Sequence, residues 1–87
     1  MYALAVKEGV DRTFRRMAKK DRNRLEAVEK EVQEILEDPH RFKPLRAPMQ
    51  NLRRVHVGPF VLVYEVDEER KVVTLLDFEH HDLVYRR

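Results

Sequence analysis

Cysteine is absent from this 87-residue chain, which excludes both a disulfide framework and a thiolate metal site. No apolar run approaches the roughly 20 residues that a membrane-crossing helix needs, and the N-terminus lacks the apolar core of a signal peptide. A soluble, cytoplasmic protein without a membrane partner is the expectation. Internal repeats and low-complexity tracts are missing as well, so residues 1–87 read as one domain with one core. Carboxylates are missing from Pro39 through Tyr64, whereas His40, Arg41, Lys43, Arg46, Arg53, Arg54 and His56 all fall there. An acid-free basic segment leading into a sheet is the footprint of a polyanion partner.

What is present is a strongly patterned chain in which 39% of residues are charged. Arg12, Arg15, Arg16, Lys19, Lys20, Arg22 and Arg24 crowd one stretch, and Glu26, Glu29, Glu31, Glu34, Glu37 and Asp38 make the next one acidic. Tyr2 to Val6 reads as a strand. Asp11 is placed to cap a short first helix ending near Met17 or Ala18, with Val10, Phe14 and Met17 at helical spacing. Asp21 caps a second helix whose apolar stripe is Leu25, Val28, Val32, Ile35 and Leu36. Asp38–Pro39 stops it, because the residue before a proline is pushed out of the helical region. Pro39 to Gln50 is a connecting loop from which Leu45 and Met49 reach the edge of the core.

Three strands follow, joined by tight turns as an antiparallel meander. Arg53 to Val66 is a hairpin, with Phe60 and Tyr64 on the same parity as Leu62 and therefore core. Asp67 to Arg70 is a turn, Lys71 to Phe78 a strand, and Glu79 to Arg87 a polar tail. The expected fold is α+β, in the order β-α-α-β-β-β, with a helical hairpin on one face of a mainly antiparallel sheet.

Side chains two apart on a strand share a face, which puts Arg54 beside His56. The tail adds His80, His81, Tyr85, Arg86 and Arg87. Guanidiniums, imidazoles and a phenol gathered on a small sheet suit a phosphate-bearing ligand, RNA above all. Adjacent residues of an extended segment face opposite sides, so only one of His80 and His81 reaches such a site. The His-His pair has no further ligand at suitable spacing, and neither a metal nor a cofactor is expected.

In this order the elements resemble the RelE/ParE toxin family of type II toxin–antitoxin systems over nearly the whole chain. Leu52–Arg53–Arg54–Val55–His56–Val57–Gly58–Pro59–Phe60–Val61–Leu62–Val63–Tyr64 is similar to the family's gapped basic hairpin. His80–His81–Asp82–Leu83–Val84–Tyr85–Arg86 is similar to its terminal segment. The resemblance implies a toxin held by a cognate RelB-like antitoxin in a hetero-oligomer. It also implies metal-independent cleavage of ribosome-bound mRNA, in which a 2′-hydroxyl attacks the adjacent phosphate. On that basis His81, Arg54, His56 and Tyr85 are the catalytic candidates, and Arg53, Arg46, Lys43, His80 and Arg86 the RNA-binding ones. Val61 and His81 stand where the family carries arginine. Those departures keep open a ParE-like reading, inhibition of DNA gyrase without cleavage, and a catalytically silent one.

Overall fold

A computed structural model describes residues 1–46, 48 and 51–84, with the side chain of Val84 left aside. The order is β1 (Ala3–Val6), α1 (Glu8–Lys20), α2 (Arg22–Glu37), β2 (Leu52–Val57), β3 (Phe60–Asp67), β4 (Val72–His80) and α3 (His81–Val84). The four strands form one sheet in the order β1-β4-β3-β2. β1 runs parallel to β4, and the other pairs are antiparallel. The α+β architecture with a helical hairpin is thus the one expected.

The helical hairpin covers one face. Val10 and Met17 of α1 and Val28, Val32 and Ile35 of α2 pack on Val55, Val57, Leu62, Tyr64, Val73, Leu75 and Phe78. Leu25 and Leu36 flank this core half-buried, as do Phe14 and Phe60. Each fully buried aliphatic side chain contributes on the order of 1.5–3 kcal/mol, so this face dominates stability.

Several boundaries differ from the sequence reading. Helix α1 begins at Glu8 rather than after Asp11, with Lys7 in the capping position and no side-chain cap. Asp11 lies inside the helix and pairs with Arg15 one turn on, at 2.9 Å, so its carboxylate serves the helix surface instead of its end. Asp21 does cap α2, accepting the Arg24 N–H at 3.3 Å and its guanidinium at 2.7 Å. Lys71 belongs to the turn, not the strand, because its φ of 57° is left-handed. Glu79 and His80, assigned to the tail, are the last two residues of β4.

The loop after α2 is tied down rather than loose in its described part. Buried Tyr64 donates to the Pro39 carbonyl at 2.7 Å, and Arg53 donates to that of Phe42 at 2.6 Å. Leu45, half-buried, donates its N–H to the Leu52 carbonyl at 2.8 Å. Burial pushes the Tyr64 phenol up to about 12. Met49 and Gln50 lie outside the described residues.

Candidate functional site

The face of the sheet away from the helices carries the chemistry. Arg54 pairs across β3 with Val63, which pairs with Asp77; His56 pairs with Val61, which pairs with Glu79. Each row therefore runs from a cation or imidazole on β2, over a valine, to a carboxylate on β4. Val61 and Val63 are buried yet stand outside the helix-facing cluster.

The carboxylates reach this face because of an irregularity in β4. The register with β3 shifts between Val63 and Tyr64, so that Leu75 and Asp77 oppose neighbouring residues and Leu76 is the extra one. An uninterrupted alternation from Val73 and Leu75 would have sent Asp77 and Glu79 into the core and Phe78 out of it. The bulge instead buries Phe78 and turns both acids to the open face.

The hairpin turn places the last catalytic candidate. Gly58 adopts a φ of 59°, which favours glycine, and with Pro59 forms the tight link between β2 and β3. The Pro59 carbonyl then accepts the His81 N–H at 2.8 Å, fixing the start of α3 beside the hairpin. This brings the His81 ring to 5.8 Å from that of His56, centroid to centroid and tilted by 32°. Both rings are exposed, Arg54 is half-buried, and Oε2 of Glu79 is buried. His81 also meets the neighbouring Asp82 carboxylate, 3.5 Å from Nδ1.

Arg54, His56 and His81 are thus brought together on one face. His80 is not: it points to the helix side, edge-on to Phe60 with centroids 5.7 Å apart. Arg53 is not either, since its guanidinium is engaged by the Phe42 carbonyl and by Nδ1 of His40, 3.2 Å away. Lys43 and Arg46 are exposed on the loop beyond the β2 edge. Tyr85, Arg86 and Arg87 lie outside the described residues. Sequence reasoning missed Asp77 and Glu79, whose signal was the mismatch between apolar alternation and the position of Phe78. Among the described residues no group of three or more His, Cys, Asp or Glu is arranged to hold a metal ion.

A four-stranded sheet under a helical hairpin, with a basic hairpin leading to a terminal imidazole, defines the RelE/ParE class of small toxins. Residues 4–85 match the family model of the ParE toxin of type II toxin–antitoxin systems, and the chain belongs to that family. A candidate toxin, RelE4 of Methanocaldococcus jannaschii, is 39% identical over 88 residues, covering 100% of this chain and 94% of the relative. An uncharacterized protein of Methanosarcina mazei is 48% identical over 86 residues, covering 98% of this chain and 100% of its own. In the RelBE2 toxin–antitoxin complex of Mycobacterium tuberculosis, a chain shares the fold with a TM-score of 0.76 and 23% identity. That match covers 92% of this chain and 98% of the other.

Proposed function

We propose that this toxin inhibits translation by metal-independent cleavage of ribosome-bound mRNA, and that a RelB-like antitoxin holds it inactive in a hetero-oligomer. The observation that carries the reading is the His56–His81 pair, 5.8 Å apart, with Arg54 on the same face. Two imidazoles at this separation can flank one phosphodiester. One takes the proton of the 2′-hydroxyl as the 2′-oxygen bonds to phosphorus. The other gives a proton to the 5′-oxygen as its bond to phosphorus breaks, leaving a cyclic phosphate and a 5′-hydroxyl. An imidazole suits both directions because its ordinary pKa of ~6.5 lies near neutrality. Arg54 stabilises the charge that accumulates on the phosphorane. The site would work in the cytoplasm, where ribosomes are, and the antitoxin reading is supported by the complex formed by the mycobacterial relative.

Primer extension on ribosome-bound mRNA tests this. The wild type is expected to leave discrete cuts within the ribosomal A site. Each of His56→Ala and His81→Ala should slow cutting by ~10²–10⁴, and Arg54→Ala by ~10²–10³. Growth arrest with intact mRNA would end the ribonuclease reading. The second reading, gyrase inhibition of the ParE type, is favoured by Asp77 and Glu79, which offset the positive charge of the open face. A DNA-supercoiling assay that gyrase passes unhindered at large toxin excess would remove it.

A further inference from the structure

Two cavities of about 440 Å³ and about 350 Å³ lie along the flank of α1, the first against the end of β4 from Leu76 to His80. They share Thr13, Arg16, Phe60 and Phe78, and so make one trough from the end of β4 to the junction of α1 with α2. The floor is aromatic. Phe60 stacks on Phe78 with centroids 5.1 Å apart and planes 8° from parallel. The Arg24 guanidinium lies 4.6 Å above the Phe60 ring, steered there by its 2.7 Å contact with Asp21.

The cations of α1 fall into two sets. Arg12 and Arg15 are matched one turn back by Glu8 at 3.3 Å and Asp11 at 2.9 Å. Arg16 and Lys20, which line the trough, are exposed and have no carboxylate at ion-pair distance among the described residues, and neither has Lys7 at its far end. Asp77, Glu79 and Asp21 also line the trough, Asp21 already taken by Arg24. The cations of the outer flank of α1 are ion-paired, while Arg16 and Lys20 on the trough wall are not. Residues four apart on a helix sit about 5–6 Å apart at Cβ, a separation that lets two cations take two phosphates of one strand. His80, the residue before His81, lines the trough at the end of β4.

We infer that this trough binds the phosphate backbone of single-stranded RNA, leading the strand from the His56–His81 pair around the end of the sheet. The identity of the polyanion rests on the ribonuclease reading; the site itself rests on Arg16 and Lys20, one helical turn apart on the trough wall and without an ion-pair partner among the described residues. Arg16 and Lys20 hold successive phosphates, and the Arg24 guanidinium, held over Phe60, offers a cationic group on which a base can stack.

The test is fluorescence anisotropy with a labelled, fully 2′-O-methylated RNA 12-mer, which cannot be cleaved by 2′-hydroxyl attack. The double variant Arg16→Gln/Lys20→Gln is compared with Arg12→Gln/Arg15→Gln, which removes the same charge from the neutralised flank. The trough variant should bind about 10-fold more weakly at low salt. Its log-affinity against log-salt slope should fall by about 1.4, the value for two phosphates of a single strand. The control pair should stay within about two-fold of wild type. Equal weakening of both doubles would overturn the inference, since net charge alone would explain it. Polyglutamate of matched charge competing as well as RNA would also overturn it, assigning the trough to an acidic polypeptide. RNA binding through the trough without cleavage of ribosome-bound mRNA leaves the trough standing and removes the ribonuclease.

Discussion

The two faces of the sheet are built from alternate residues of the same strands, yet different forces determine them. The helix-covered face is apolar area: Val55, Val57, Leu62, Tyr64, Val73, Leu75 and Phe78 are held by their burial against α1 and α2. The open face is a set of pairings: Arg54, His56, Asp77 and Glu79 meet only because of strand register and one bulge. Burial is tolerant of which apolar neighbour supplies it. A pairing is not, because a one-residue slip would exchange the faces. Stability in this molecule therefore concentrates on one face and candidate chemistry on the other.

Val61 and Leu62 bring that difference down to two adjacent residues, each with 0% exposure. Leu62→Ala opens a void beneath the helices and should cost about 2–5 kcal/mol. Val61→Ala removes fewer methylenes from a residue outside the helix-facing cluster, and at ~0.8 kcal/mol per methylene should cost about 1–2 kcal/mol. Urea unfolding with a constant m-value would report both. Equal losses would mean that the open face is packed as tightly as the covered one, and the contrast between them would fall.

Tyr64 sharpens the comparison from within the core, since its ring belongs to the covered face while its hydroxyl anchors the loop at Pro39. Burial holds the folded phenol at about 12, against 10.0 for its ordinary value. Above pH 10 the unfolded chain loses this proton and the folded chain keeps it, so stability is intact below pH 10 and declines toward pH 12. The loss amounts to about 2–3 kcal/mol, from ~1.4 kcal/mol per pH unit. Tyr64→Phe should remove that alkaline slope and lower stability at pH 7 by about 1 kcal/mol through the lost hydrogen bond. An unchanged slope in the variant would place the alkaline titration elsewhere.

The covered face was legible in the sequence because burial leaves a periodic trace. The α2 stripe from Leu25 to Leu36, the Asp21 cap and the Phe60–Leu62–Tyr64 parity all follow from local pattern. Asp11 misled because a carboxylate near a helix start suits either a cap or a first-turn position, and only the backbone distinguishes them. The open face was half legible. Arg54 and His56 are two apart on one strand, which needs no tertiary information. Asp77 and Glu79 required the Leu76 bulge, which arises from pairing with β3 and whose local mark is only the break that Phe78 makes in the alternation of Val73 and Leu75. His81 reaches His56 through the Pro59 carbonyl, a contact spanning the length of two strands. Arg53, an RNA-binding candidate by sequence, is sent by parity to the face opposite Arg54 and its guanidinium to the Phe42 carbonyl.

The smallest effect expected lies on neither face but at an edge. Glu68, in the β3–β4 turn, accepts from Tyr2 at 2.8 Å and Lys71 at 3.2 Å and is in close contact with His40. His40 in turn meets Arg53, so one carboxylate links the N-terminal segment, the loop after α2 and the start of β2. The Tyr2 hydrogen bond, followed by those of Lys71 and His40, holds the Glu68 carboxyl below its ordinary value of 4.5. Because the folded value is depressed, this stabilisation is present above pH 4.5 and is lost as pH falls through the folded value. Glu68→Gln should lower the melting temperature slightly at pH 6, and its melting temperature should fall less steeply than the wild type's between pH 5 and pH 3. The effect stays small because these groups are exposed and water competes for every contact. Thermal melts at low ionic strength, where screening is weakest, give the most sensitive reading. Parallel acid slopes in wild type and variant would mean that solvent dissolves the edge network, leaving the loop held by the contacts at the Pro39, Phe42 and Leu52 carbonyls.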